Sequence, residues 1–516
     1  MTTGTTSEIS TFKGVAGRLS AGRIGVAGLL LAVVAASAPL MVTAGVMPSI
    51  YGVMGITGQP LLFVILGVVL ILFSFGYAEM SRHVHNAGAF YAYIARGLGG
   101  TAGAAASVVA LVAYSAMQVG IYGIFGHEVS GLLRAHLGLS TAWWVPAAAA
   151  VAVVAGLGWL KVDLNVKVLG VLLLVECLMV GAFDLAAVAD PGPDGLSLHA
   201  FDPATLAGAG LGTALSFTIA SFVGFEQAAV YAEETSRPHV VVARVTFLAV
   251  GFVALFFALG SWAMSVAGGP AEITRLAGEK GPDLLFDLTR ARLGATFTTV
   301  MHVFYVTGMF AAMLSFHNVV ARYAFAMGRE GLLPAALGRT SATSGAPAYG
   351  SLLQSTVSLL AVALFAVTDD RPTGDPTAPV QRLFTWMGNV GALGVILLMA
   401  TASAAVIVFF VRRGAARAQA ARLVAAAAAG LALLVIAGYA VKDFHVLVGT
   451  GPGSALGWVL PGLMGAAVVL GVVYGLVLKA VRPEVHARIG LGNEAFRLEK
   501  AAATAGAPTA QRKVSP

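Results

Sequence analysis

From residue 24 almost to residue 480, long apolar runs alternate with short polar breaks. A helix needs roughly 20 apolar residues to cross the hydrocarbon of a bilayer. Twelve runs approach or exceed that length: 24–50, 60–80, 103–126, 143–160, 165–189, 207–231, 241–267, 296–327, 351–368, 384–411, 423–441 and 456–480. The pattern predicts an all-α integral membrane protein with twelve transmembrane helices, short loops and no separate soluble domain. The eighth run is long enough to include a tilt or an interfacial turn.

Charge gives the twelve runs a direction. If both termini face the cytoplasm, 23 of the 31 lysines and arginines fall on the cytoplasmic side and 8 on the other. That asymmetry follows the positive-inside rule, and it places the protein in the cytoplasmic (inner) membrane as a multi-pass protein with both termini inside. The ends, Met1–Arg23 and Ala501–Pro516, are small and polar, and disorder is expected there. The tail before residue 24 is polar and the run after it is too long for a signal-peptide core, so no cleavable signal is read.

Composition agrees. Of 516 residues, 58% are apolar and only 11% charged, against about 25% charged in soluble domains. The net charge of +7 is spread singly along the loops and does not form a nucleic-acid-binding patch. The one cysteine, Cys177, lies in an apolar run, rules out an intramolecular disulfide and reads as packing. His83-Val84-His85 and His127-Glu128 have no further ligands at metal-site spacing. Gly97-Leu98-Gly99-Gly100 lacks the Lys-Ser/Thr of a phosphate loop. No metal, cofactor or ATP-hydrolysing module is expected.

Two runs are interrupted. The first carries Ala35-Ala36-Ser37-Ala38-Pro39 near its middle, and a proline there removes a backbone hydrogen bond. The sixth carries Ala220-Ser221-Phe222-Val223-Gly224-Phe225-Glu226, a glycine beside an intramembrane carboxylate. Singly, Pro39 reads as a kink and Gly224 as a close-packing glycine. As a pair five helices apart, they match the discontinuous helices that form a transporter's midplane site.

These stretches carry a family resemblance. Ser37-Ala38-Pro39-Leu40, Tyr77 to Arg82 (YAEMSR) with Ala87 to Tyr93 (AGAFYAY), Ser221 to Glu226, Ala232 to Pro238 (AEETSRP), and Asn318 to Pro334 (NVVARYAFAMGREGLLP) resemble the amino acid–polyamine–organocation permeases, in the branch of bacterial amino acid permeases. The resemblance spans essentially all twelve helices. It implies the leucine-transporter-type fold, a 5+5 inverted repeat with two additional C-terminal helices. The expected divisions are a tail 1–23, a first five-helix repeat 24–189, a second 207–411, helices 11 and 12 over 423–480, and a tail 481–516. It also implies solute binding between broken helices 1 and 6, flanked by helices 3, 8 and 10, with alternating access driven by proton symport or by exchange. One departure is Ala36-Ser37-Ala38, where many members have Gly-Ser-Gly or Gly-Thr-Gly.

The site residues expected on this basis are Ala36, Ser37, Ala38 and Pro39 in helix 1, Ala220, Ser221, Phe222, Gly224 and Phe225 in helix 6, and Asn318 in helix 8. Tyr114, Gln118 and Tyr122 recur every four residues as one polar-aromatic stripe on helix 3, and Tyr114 and Gln118 are read as facing the pocket. Trp386 and Asn389 on helix 10 are weaker candidates, Trp386 also fitting an interfacial aromatic belt. Intramembrane ionisable groups are expensive and point to function. Glu226 follows the helix 6 break and reads either as part of site closure or as a cap on the half-helix. Glu176 lies deep in helix 5 with no basic residue within a turn. Apolar surroundings favour the neutral form of a carboxyl group, as a proton carrier requires. A glutamic acid bonded to a neighbouring helix is the alternative. His317 could titrate near neutral pH or simply donate a hydrogen bond between helices.

Half-helices starting near Ala38 and Gly224 are expected to leave free N–H groups that favour an anion, with the hydroxyls of Ser37 and Ser221 as further donors. Carbonyls at the opposing ends suit an ammonium group. With no acidic cluster on helix 3, the expected solute is a neutral, zwitterionic amino acid, with polyamines and simple amines such as ethanolamine as alternatives. In the implied fold, a sodium site commonly uses adjacent hydroxyls midway along helix 8. Here the only such pair, Thr298-Thr299, is near the outer end, and the middle offers only isolated hydroxyls such as Ser315, so protons are the expected coupling ion. A monomer or homodimer is expected. A membrane-embedded enzyme on lipid-linked substrates is the reading from another class. It is disfavoured because the irregular features sit at the midplane and the loops are short. A non-transporting receptor is disfavoured by the lack of a signalling domain.

Overall fold

A computed structural model describes residues 25–492, apart from 85, 160–161, 236, 342–343, 369–378 and 452. The stretches expected to be disordered at the two ends, and His85, lie outside the described residues. Among the described residues eleven helices are long and apolar enough to cross a membrane. They are α1 (Val26–Gly52), α2 (Gln59–Ser81), α3 (Gly100–Leu137), α5 (Val162–Ala189), α6 (Leu211–Val230), α7 (Pro238–Gly268), α8 (Asp283–Glu330), α9 (Ala348–Thr368), α10 (Arg382–Arg412), α11 (Ala420–Lys442) and α12 (Ala455–Val481). The twelfth apolar helix, α4, is shorter at Trp144–Leu157.

The long eighth run does contain a turn. Gly294 has φ 80° and ψ 171° inside α8, so residues 283–293 form a separate leg before the spanning part. Only glycine adopts that conformation without a steric penalty. Short helices also fill two loops: Ala89–Leu98 between α2 and α3, and Ile273–Lys280 between α7 and α8.

Because successive helices alternate in direction, α1 begins on one face of the membrane and α6 on the opposite face. The halves α1–α5 and α6–α10 therefore run in opposite senses, and the first helix of each is broken. The face on which α1 begins and α12 ends is the termini face. In this arrangement α2 packs along α7, and α3 packs against α8, α10 and α12. Association inside lipid depends on close backbone approach at small residues. A Cβ added to Gly391 of α10 would come 2.6 Å from the Ala113 carbonyl oxygen of α3, and one on Gly471 of α12 would come 2.6 Å from the Ala105 Cα. Large apolar side chains such as Leu178, Leu255, Leu360 and Leu431 point outward and are exposed, as a surface bathed in lipid tails requires.

The termini face is tied together by two buried carboxylates. Glu234, just after α6, forms a two-pronged pair with Arg322 of α8, with Nε–Oε1 at 2.7 Å and Nη2–Oε2 at 3.2 Å. The Arg322 guanidinium also lies 4.5 Å above the Tyr231 ring. Glu330, at the end of α8, accepts from Asn86 Nδ2 and from the amides of Gly490 and Gly492. The segment after α12 is therefore docked against the end of α8 and the α2–α3 loop. This part of 481–516 is ordered structure and not a free tail.

Candidate substrate site at the two helix breaks

In α1, regular helix ends at Ala35 and resumes at Pro39. Ser37 N and Ala38 N close short turns onto the Val34 and Ala35 carbonyls, and Ser37 Oγ donates to Val34 O at 2.6 Å. Ala38 takes a left-handed conformation, φ 41°. This is the conformation glycine would supply in the Gly-Ser-Gly version, and holding an alanine there costs about 1–2 kcal/mol. Pro39 suits the first position of the new half-helix because its missing N–H would have no helical partner. The first amide of that half-helix, Leu40 N, is not free: it donates to Glu176 Oε2 of α5 at 3.2 Å.

In α6, helix runs to Phe222, Val223 turns extended, and Gly224 has φ 136°. The chain resumes as a short half-helix at Gln227–Val230. Gly224 N donates to Glu226 Oε2 at 2.9 Å, so this break also carries its own carboxylate. Glu226 is fully buried; its other carboxylate oxygen accepts from Tyr114 Oη at 2.6 Å, and its carbonyl accepts from Tyr77 Oη at 2.9 Å. Thus each broken helix restarts under a protein carboxylate. The expectation that both starts would present free N–H groups is corrected, because positively polarised helix ends buried in the protein interior attract the nearest anion.

The two breaks touch. A Cβ on Gly224 would stand 2.7 Å from Val33 O and 3.0 Å from Ala36 Cβ. Ala36 fits where many relatives have glycine because its partner across the contact has no side chain. Between the breaks lies a small cleft, lined from α1 by Ala36, Ser37, Met41, Val42 and Val46, and from α6 by Phe217, Ala220 and Ser221. Met117 and Ile121 of α3, Phe316 of α8, and Phe384 and Gly388 of α10 complete it. Phe217 and Phe384 meet edge to face with ring centroids 5.6 Å apart, narrowing the cleft on the side away from the termini face. Among the described residues no charged side chain lines it.

Of the residues expected at the site, Ala36, Ser37, Ala220 and Ser221 line this cleft. Ala38, Pro39 and Gly224 shape the breaks beside it. The rest point elsewhere. Phe222 and Phe225 turn toward α2, each with a ring centroid 6.0 Å from Phe63 and Phe73 respectively. Tyr114 reaches Glu226. Gln118 turns to the back of α3, where Nε2 donates to Tyr122 Oη and to Met313 O of α8, both at 3.2 Å, and Oε1 accepts from Gln354 of α9 at 2.6 Å. Gln118 thus faces α8 and α9 while Tyr114 reaches α6, and Met117 and Ile121, one position off the stripe, face the cleft. His317 pairs with Ser351 Oγ of α9 at 2.7 Å, and the Asn318 carbonyl accepts from Arg322; neither side chain lines the cleft, whereas Phe316 does. Trp386 donates to Leu447 O, and Asn389 Nδ2 to Thr385 O.

Two groups escaped the sequence reading. Gln227, the first residue of the α6 restart, is fully buried; Oε1 accepts from Ser315 Oγ at 3.3 Å while Nε2 has no partner. A glutamine one residue beyond Glu226 was a readable polar signal in an apolar run. Asp184 of α5 has a buried Oδ1 without a hydrogen-bond partner. It could have been found as an aspartate eight residues from Glu176 in the same apolar segment.

Two oppositely directed five-helix halves, each with its first helix broken at the midplane, define a membrane transporter of the leucine-transporter type. The family described as amino acid permease matches residues 27–475, and the chain belongs to it. It is therefore a multi-pass transporter and not an enzyme. A solved structure described as Mhp1, a nucleobase-cation-symport-1 family transporter in a closed conformation with bromovinylhydantoin bound, aligns with 16% identity and a TM-score of 0.46 over 92% of this chain and 98% of that one. No curated protein matches the chain.

Proposed function

We propose that this chain carries neutral amino acids across the cytoplasmic membrane by proton-coupled symport or exchange, with both termini in the cytoplasm. The observation that supports this best is the cleft between two touching helix breaks, walled by apolar side chains and free of charged ones. Such a cavity suits an uncharged side chain, leaving carbonyls at the breaks for the ammonium group and, once Glu176 releases it, the Leu40 amide for the carboxylate. The amino acid permease family match supports the same substrate class.

The carboxylates at the breaks supply a reason for proton coupling. While Glu176 is ionised, its negative charge occupies the Leu40 amide and repels a second anion nearby. A proton on Glu176 removes that charge, and the half-helix start then favours the substrate's carboxylate. Glu176→Gln imitates the protonated state. It is expected to retain substrate binding and exchange while losing accumulation driven by a pH gradient. Uptake by proteoliposomes with and without an imposed gradient checks this, and accumulation equal to the parent's would make Glu176 structural.

The same carboxylates favour a second reading, a simple amine as solute, since anions already stand at both helix starts. Competition separates the two. An amino acid is expected to displace radiolabelled neutral amino acids, and its decarboxylated amine to fail. Equal competition by the amine would show that no carboxylate is read at the breaks.

A further inference from the structure

We propose that Asp184 is the proton-loading site from which Glu176 is supplied; the inference rests on the reading of Glu176 as the coupling group. Asp184 lies on α5, eight residues after Glu176, so the two carboxyl groups are separated by about 12 Å along the helix. Glu176, Val180 and Asp184 recur every four residues and turn the same side of α5 to its neighbours. On that side Glu176 reaches Leu40 of α1 and lies against Gly308 of α8, where an added Cβ would come 2.6 Å from the Glu176 Cδ. Farther along, Val180 and Asp184 face Gly260 of α7, whose Cβ position is 3.8 Å from Val180 Cγ1, 3.8 Å from Asp184 Oδ1 and 3.5 Å from the Met47 methyl of α1. Gly308 makes the room that the Glu176 carboxyl group fills, and a Cβ at Gly260 would meet only ordinary van der Waals contacts beside Asp184.

Asp184 has no evident structural task. Its Oδ1 is buried without a hydrogen-bond partner, although an aspartate inside a membrane helix is costly and is ordinarily paired or functional. No basic side chain faces either carboxylate from α1, α7 or α8 among the described contacts. The groups met are the Leu40 amide and the neighbouring Cys177 at Glu176, and Met47, Val180 and Gly260 at Asp184. The side chain is only partly covered, and α5 ends five residues later at Ala189, on the face opposite the termini. Asp184 is therefore the carboxylate on this seam nearer that side. A hydronium ion there gives its proton to the Asp184 carboxylate. Asp184 then passes the proton through intervening water to the Glu176 carboxylate and is left ionised for the next one. One proton moves and no other bond changes.

The test uses the full chain in proteoliposomes, with a radiolabelled mixture of neutral L-amino acids as probe. Asp184→Asn is expected to slow uptake driven by a pH gradient by about 100-fold or more, the scale of losing one positioned proton-transfer group. Exchange at equal pH, which moves no net proton, is expected to persist, and Asp184→Glu to restore the gradient-driven rate. Infrared difference spectra between high and low pH, which need no substrate, are expected to lose one carboxyl C=O band in Asp184→Asn and another in Glu176→Gln. Gradient-driven uptake equal to the parent's in Asp184→Asn overturns the proposal. So does an equal fall in exchange, which would make the residue structural. If Asp184→Asn loses gradient-driven uptake while Glu176→Gln keeps it, Asp184 is itself the carrier, and both the relay and the assignment of Glu176 are wrong.

Discussion

Arg322→Ala is expected to destabilise the protein by about 3–5 kcal/mol, the usual effect of stripping one partner from a buried ion pair. Arg322 and Glu234 are each 1% exposed. The guanidinium is held on both prongs by Glu234, donates to Asn318 O at 3.0 Å and covers the Tyr231 ring. Alanine would leave the Glu234 carboxyl group buried without its partner. The loss should appear as a lower Tm of the purified protein. Replacing both partners with uncharged side chains of similar size, Arg322→Met with Glu234→Gln, is expected to recover most of that stability, because intact buried pairs are often no better than a neutral substitute. The double variant should still transport poorly. The pair joins the segment after α6 to α8 on the termini face, and a transporter must break and remake such contacts on each cycle. Faster thiol labelling of a cysteine placed below the pair would show that this face now rests open. Unchanged labelling and unchanged transport would reduce the pair to a structural role.

Gly224→Val is expected to abolish transport and also to lower stability by several kcal/mol. Two effects combine. A β-branched residue at φ 136° is in a region essentially reserved for glycine, at a cost of about 1–3 kcal/mol. Its Cβ would also stand 2.7 Å from the Val33 carbonyl oxygen, a backbone atom of the facing helix that cannot move without shifting α1. If Gly224 served only to make room for the solute, the outcome would be milder, with binding lost and folding largely retained. The glycine instead makes room for α1, so the substitution strikes the helix contact itself. Thermal unfolding alongside uptake distinguishes the two accounts: a variant with the parent's Tm that fails only to bind would restore the first.

The sequence by itself determined the architecture. Burial in lipid forces every backbone group into helical hydrogen bonds, so apolar runs near 20 residues translate directly into spans. Their approximate number, most of their boundaries within a few residues and the two interruptions were readable, although α3 runs on to Leu137, well past its expected end at 126. Gly224 and Pro39 marked the breaks because glycine and proline act on the backbone locally, whatever surrounds them. Glu176 and Glu226 stood out because carboxylates are rare in such segments. Only the tertiary structure decided what these groups face. Periodicity placed Tyr114, Gln118 and Tyr122 on one side of α3, but a helix packed on several neighbours has more than one buried side. The sequence does not say that Gln354 of α9 takes Gln118 while Met117 and Ile121 turn to the cleft. His317 and Phe316 are adjacent in sequence and point to different helices for the same reason. The pairing of Glu176 with Leu40 joins residues 136 positions apart. Its cause, a buried helix start that attracts the nearest anion, becomes visible only when α1 and α5 are side by side.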